Sequence, residues 1–260
     1  GEEGANLTKD DSFIAYDIGI NRAIDDHLSI FSNLNYSFLA PDIDRFFGYN
    51  TNWTDRVFNG FIDPTLVTTL NIGGHHVTPK NKAKLTFYAI TLKHEQFYNP
   101  KTFTNTNIDS SYKLGLEFQD KFIFNNSLSA SINYAYTRPF IDYEETMGDE
   151  LPGVSDHNVT LGINYKPTSN SRLVLYQNYR SETWALNDIQ NNFQQKNSAF
   201  TSTDLSYSYF LIAKNKTNPI ELTFKVENIF EQSNGSWLDD TAIYPTNFTR
   251  NWTIGTKYTF

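Results

Sequence analysis

The sequence contains no cysteine, which excludes a disulfide framework and any thiolate metal site while leaving the cellular compartment open. It also has no run of about eighteen apolar residues, so no transmembrane helix is available. The opening stretch "GEEGANLTKDDS" has neither a basic start nor an apolar segment, and the expectation is a mature product or a piece of one, without a signal peptide. Positive charge is scarce as well. With 21 Lys and Arg against 29 Asp and Glu the formal net charge is −8, and no basic cluster of the kind a phosphate backbone requires is present, so no nucleic-acid partner is expected. What the chain does have is rings in a polar setting: 21 Phe, 16 Tyr and 4 Trp at a mean hydropathy of −0.50.

The dominant pattern is alternation with a period of two, the signature of strands with two unlike faces. It recurs near residues 12 to 24, 27 to 41, 67 to 78, 83 to 97, 110 to 120, 127 to 138, 157 to 166, 172 to 181, 201 to 212, 220 to 230 and 250 to 260, about eleven segments in all. Ile14, Tyr16, Ile18 and Ile20 share one face of the first, with Asp17 and Asn21 opposite. Leu128, Ala130, Ile132, Tyr134 and Tyr136 share a face of the sixth, and Val159, Leu161, Ile163 and Tyr165 one of the seventh; Ser129, Ser131, Asn133, Thr160 and Asn164 lie opposite.

The connections alternate too. "IDDH", "TPKNK", "KPTSNS" and "AKNKTNP" are short polar turns. The intervening stretches, roughly 42 to 66, 98 to 109, 139 to 156, 182 to 200 and 231 to 249, read as long loops rich in Tyr, Phe, Asp and Asn. Short turns at one end and long loops at the other describe an outer-membrane β-barrel; a soluble β-sandwich would lack this two-sided asymmetry. The closing "RNWTIGTKYTF" fits, with Trp252, Ile254, Thr256, Tyr258 and Phe260 on one face. From Trp252 to Phe260 is about 26 Å along a strand, or roughly 20 Å along the membrane normal at a tilt of about 40°, against an apolar band about 25 Å tall.

Five motifs then carry a family resemblance. "NYSFLAPDIDRFFG", Asn35 to Gly48, resembles the S-F-R-A-P-x-x-x-x-L-F-G stretch of TonB-dependent outer-membrane receptors, with Leu39 where the family has Arg. "SYKLGLEF", Ser111 to Phe118, is similar to its G-V-E-L strand, and "LPGVSDHNVTLGINYKP", Leu151 to Pro167, to L-P-G-V-P-x-H-x-x-x-L-x-x-x-Y. "VENIFEQ", Val226 to Gln232, resembles V-x-N-L-F-D-x, and "YPTNFTRNWTIGTKYTF" the closing Y-P-x-x-x-R-x-x-x-x-G-x-x-Y-x-F. The resemblance implies an all-β fold: an antiparallel transmembrane β-barrel in which about eleven strands form the C-terminal half of a 22-stranded plugged barrel, residues 1–260 lacking the plug and the N-terminal strands. It further implies capture of a scarce metal chelate, a ferric siderophore first and haem or cobalamin otherwise, with TonB acting through the plug. Partners would be the N-terminal barrel half and plug, the TonB complex, the lipid bilayer and the chelate. No cofactor and no catalytic residue is expected. A passive porin is the alternative transport reading.

Candidate chemistry is confined to a few stretches. The aromatic loop "DRFFGYNTNWTDR", with Phe46, Phe47, Tyr49, Trp53 and Arg56, suits a planar or catecholate-bearing ligand through stacking and cation–π contacts, or else simple packing; Tyr143 and Trp237 in two other long loops join it as ligand-binding candidates. The acidic loop "IDYEETMGDELPG", with Asp142, Glu144, Glu145, Asp149 and Glu150, offers oxygen ligands but lacks calcium-loop spacing, so a solvated loop is the plainer reading and no metal site is expected. His75 and His76 precede a short turn, away from the end where the family's haem branch places its axial histidine, and read as interfacial residues pointing opposite ways. Ser155, Asp156 and His157 are contiguous, so they cannot converge as a triad.

Overall fold

The structure, a computed structural model, describes residues 8–49, 52, 54–99, 104–142, 150–188, 190–211, 220–247 and 249–258. Eleven strands form one antiparallel meander: β1 (Tyr16–Ala23), β2 (Leu28–Leu39), β3 (Thr65–Val77), β4 (Asn81–Asn99), β5 (Thr104–Ile123), β6 (Leu128–Asp142), β7 (His157–Tyr165), β8 (Ser171–Arg180), β9 (Phe200–Leu211), β10 (Ile220–Glu227) and β11 (Asn251–Tyr258). Each pairs only with its sequence neighbours, and the sheet is open, with β1 and β11 at its two edges. The eleven expected segments are these eleven strands. The expected loop limits change: residues 98–99 and 104–109 are strand, because β4 and β5 continue as a hairpin with arms of 19 and 20 residues paired out to Asn99 and Thr104, and β6 runs on to Asp142. A membrane-crossing strand needs only about ten residues, so nearly half of this hairpin stands beyond the membrane.

Two of the short turns are built alike. In "IDDHL" the Asp25 carboxylate accepts the N–H groups of His27 and Leu28 at 2.7 and 2.8 Å, and in "FNNSL" the Asn125 side chain accepts those of Ser127 and Leu128 at 2.8 and 2.9 Å. Both are side-chain-closed Asx turns. The two backbone bonds hold the Asp25 carboxyl below its ordinary range.

Register carries the two-faced pattern across the whole sheet. Ile18 lies opposite Leu34, Leu34 opposite Leu70, Leu70 opposite Ala89, Ala89 opposite Leu114 and Leu114 opposite Arg138. Farther along, Ile132, Leu161 and Gln177 form one row, and Tyr207, Phe224 and Ile254 another. These residues share one face because cross-strand partners in an antiparallel ladder point the same way. The face is uncovered: Ile254 is 83% exposed and Ile20 is 71% exposed. Ile62, Ile108, Ile141, Ala185 and Val226, with Pro64 and Pro139, are the buried apolar residues among those described. A water-soluble domain stacks a second layer on such a surface. Here the apolar face requires hydrocarbon instead, and every interior strand meets its backbone needs through its neighbours, as a bilayer demands.

The other face is polar and cross-linked. Asn33 and Asn35 donate to the Asp17 carboxylate at 2.6 and 3.2 Å. Asn178 accepts from Thr160 at 3.0 Å and donates to Ser202 and Asp204 at 3.1 and 3.2 Å. Three aromatic rings lie over glycines directly across the ladder on this face: Phe31 over Gly73, Tyr88 over Gly115 and Tyr176 over Gly162. A Cβ at Gly115 would strike the Tyr136 carbonyl and, at 2.5 Å, the Tyr88 ring, so glycine is required by the neighbouring backbone together with the ring laid across it, a cross-strand device that pins register.

Two outcomes are expected. Leu161→Arg, at the middle of the apolar face of β7, should cost about 2–4 kcal/mol in a bilayer, whereas Asn133→Arg on the exposed polar face should cost less; chemical unfolding of the protein in vesicles measures both, and equal costs would contradict the facing. Gly115→Val should cost roughly 1–3 kcal/mol by overpacking, and pairing it with Tyr88→Ala should recover part of the loss.

Candidate functional site

The long connections, after β2, β6, β8 and β10, leave the end of the sheet at which the β4–β5 hairpin extends. Between β2 and β3 the chain makes a 3₁₀ turn over Ile43–Phe46 and a small hairpin in which Phe47–Tyr49 pairs with Arg56–Phe58. This brings Phe46, Phe47 and Tyr49 into one small unit with Arg56. Phe46 meets Phe61 edge-on at 5.2 Å, Phe47 meets Phe58 at 5.8 Å, and Phe58 meets Phe61 at 5.2 Å. These rings pack on one another. Tyr49 is 45% exposed, with the Arg56 guanidinium 5.9 Å from its ring centre and anchored to Asp44 at 3.1 Å. Trp53 and Tyr143 lie outside the described residues.

This loop is tied to the β4–β5 hairpin through Asn107. Its side chain accepts the Asp63 N–H at 2.7 Å and donates to the carbonyls of Asp63 and His94 at 2.9 and 2.8 Å. His94 reaches this position through a left-handed backbone, φ 54°. Lys9 closes the other side at 2.6 Å from the Asp63 carboxylate and holds that carboxyl below its ordinary range.

A second cluster joins the loops after β6, β8 and β10. Thr183–Trp184 pairs with Lys196–Asn197, and Asn234–Trp237 pairs with Ile243–Asn247. Asn197, almost wholly buried, donates to Thr183 Oγ1 at 2.9 Å and the Trp184 carbonyl at 3.2 Å and accepts the Trp237 N–H at 2.5 Å. The Leu186 and Asn187 N–H groups donate to the carbonyls of Trp237 and Leu238, both at 2.8 Å. Asp188, fully buried, accepts the N–H groups of Asn192 and Phe193 at 2.9 Å each. Trp237 is thus half-buried within the seam between loops. The ring that sequence reasoning passed over is Trp184: the Lys196 ammonium sits 3.4 Å from its centre, and its indole N–H donates to Glu150 at 3.3 Å. Its signal, a tryptophan followed twelve residues later by a lysine, becomes legible only once a hairpin pairs them.

The remaining candidates separate. Ser155 donates to the Ser181 carbonyl at 3.0 Å, and His157 Nδ1 pairs with the Tyr134 hydroxyl at 2.9 Å, so these side chains have different partners. Burial, with Glu150 nearby, raises the Asp156 carboxyl above its ordinary range. His75 and His76 sit at the short-turn end, opposite Lys84 and Ala83, on opposite faces. Among the described residues no three His, Asp or Glu side chains gather as a metal site.

An open, antiparallel meander with a lipid-ready face, short turns at one end and long, mutually braced loops at the other defines a membrane β-barrel wall of the bacterial outer-membrane type. The family is more specific. The family model "TonB dependent receptor-like, beta-barrel" matches residues 3–229, and the chain belongs to that family, which places it in the bacterial outer membrane. No curated protein matches it. Among solved structures, the ferric yersiniabactin uptake receptor FyuA from Yersinia pestis is 16% identical, with 94% of this chain and 37% of that chain covered and a TM-score of 0.73. The copper transporter OprC is 15% identical, with 94% and 38% covered and a TM-score of 0.75. The ferric citrate transporter FecA, in its unliganded form, is 19% identical, with 94% and 38% covered and a TM-score of 0.73. These likenesses show the shared fold. The chain spans little more than a third of the length of each of these structures.

Two loop predictions follow from the geometry. Asn197→Ala leaves the Trp237 N–H and the Trp184 carbonyl without this partner and should cost about 1–3 kcal/mol locally, read as faster proteolysis of the loops with the barrel intact. Asp156→Asn should stabilise the same loops at neutral pH. A carboxyl raised by burial is disfavoured when ionised, so the wild type loses stability as pH climbs through the raised value and the variant does not. Equal midpoints for the two at pH 7 would contradict this.

Proposed function

We propose that the chain is the C-terminal part of the barrel of a receptor that binds a scarce metal chelate at the cell surface and imports it into the periplasm. Energy would arrive through TonB acting on a plug, which together with the N-terminal barrel strands completes the receptor. The observation that carries the proposal is the loop end: on a barrel wall of this family, two aromatic–cation pairs, Tyr49 with Arg56 and Trp184 with Lys196, stand on loops braced by the side-chain amides of Asn107 and Asn197. Ring faces and fixed cations together suit an anionic, catecholate- or carboxylate-bearing chelate. A ferric siderophore is the favoured ligand class, in keeping with the ferric yersiniabactin and ferric citrate receptors that share the fold. Two edge strands without partners also favour completion by further strands, since each unpaired backbone group in lipid costs several kcal/mol.

In this reading Phe46 and Phe47 support the loop from beneath, while Tyr49, Arg56 and the Trp184–Lys196 pair meet the ligand; Trp53, Tyr143 and Trp237 remain candidates for the same vestibule. The task is selective binding followed by an energised conformational change. Growth of a deletion strain on defined ferric chelates identifies the ligand. With that chelate, Tyr49→Ala combined with Trp184→Ala should weaken capture about tenfold or more without lowering the amount of inserted receptor, because loop changes leave strand pairing alone. Unchanged growth on every iron source, or unchanged capture by the double variant, would sink the reading or its vestibule respectively.

A further inference from the structure

The polar face carries a second feature, far from the loops. Near the short-turn end, Lys121 of β5 stands directly across the ladder from Lys82 of β4. Like charges in opposed positions repel, yet among the described residues neither forms an ion pair, and the nearest carboxylate along β5 on this face is Glu117, about 13 Å away. Next to Lys121 is a recess of about 210 Å³ lined by Lys121, Ser129, Ser131, Asn164, Arg172 and Tyr176. Its floor is Gly162, kept open because a Cβ there would strike Ser131 Oγ at 2.5 Å and the Tyr176 ring at 2.9 Å. Arg172 is oriented by its Nε–H donating to Asn164 Oδ1 at 2.8 Å, and Asn164 in turn donates to Ser129 Oγ at 3.4 Å. A contiguous recess of about 170 Å³ shares Lys121, Ser129 and Asn164 and adds Lys166. Among the described residues no carboxylate lines either one.

We infer that this recess is a seat for one small oxyanion, a carboxylate or phosphate group held between the Lys121 ammonium and the Arg172 guanidinium with Ser129 and Ser131 as hydroxyl donors. Two cations and a set of donors converge on a space smaller than the roughly 300–1,000 Å³ of ligand pockets, which fits a single anionic group and not a whole chelate. Charge-assisted bonds of this kind are the strong ones. An occupant also removes the repulsion that the Lys82–Lys121 register builds in. The inference rests on the reading that this face lines the barrel lumen, where the oxyanion comes either from an acidic side chain of the luminal domain or from a free anion.

The test uses the complete receptor in detergent, wild type against Lys121→Gln/Arg172→Gln, with Lys121→Arg as the charge-preserving control. Inorganic phosphate is titrated by calorimetry, and thermal unfolding is followed without added phosphate. Phosphate binding at one site per receptor, weakened at least tenfold in the double variant, supports the seat and names a free anion as its occupant. No phosphate binding to wild type, with a lowered midpoint for the double variant that Lys121→Arg does not share, supports the seat and names an internal carboxylate. Absence of phosphate binding together with unchanged midpoints overturns the inference. Chelate capture measured on the same preparations reports on the loops, so failure of the proposed function and failure of the seat are read separately.

Discussion

The constraint on which this structure depends is that backbone N–H and C=O groups must find partners inside a medium that offers none. In hydrocarbon the cost of a missing bond is several kcal/mol per group, and an uninterrupted ladder between sequence neighbours meets it over all but the two edges. Once the ladder is fixed, side-chain parity is fixed with it. A slip of one residue anywhere would turn Ile18, Leu70 and Ile254 toward the polar side and Asp17, Asn71 and Thr253 toward lipid. The apolar face is uncovered for this reason, and the near absence of a buried core is what a single-layer wall requires.

The polar face does a different kind of work. Its contacts are specific rather than nonpolar: the Asn33–Asp17 and Asn178–Asp204 bonds and the ring-over-glycine pairs all join adjacent strands. Each aromatic ring laid across a glycine fills the space a side chain would have taken and so fixes which residues stand opposite. Pinning register from the inner side leaves the outer side free to vary in any apolar residue. The same side then carries like charges set opposite one another, such as Lys82 and Lys121.

At the loop end, stability comes from amides and carboxylates rather than from apolar burial. Asn107, Asn191, Asn197 and Asp188 each hold two or more backbone groups. Loops braced in this manner present rings and cations in set positions, which limits the ordering cost that binding would otherwise incur. The loop end is thus rigidified by polar side chains not fully exposed to water.

The sequence by itself determined the strand count, the assignment of faces and the ends at which turns and loops lie, because a period of two and the contrast between "IDDH" and a loop of some twenty residues are local signals. It also marked the Phe46 to Arg56 stretch as one unit. Tertiary structure decided what local pattern cannot reach. Residues 104–109 read as loop because they are polar, and pairing with β4 makes them strand. Phe46 and Phe47 read as either ligand-contacting or packing rings, and the fold supplies the partners Phe58 and Phe61, from elsewhere in the same loop, that they stand against. Trp184, Asn197 and the Lys121–Arg172 recess depend on partners 12 to 51 residues distant in the chain, and only the register that brings those partners side by side gives them a chemical meaning.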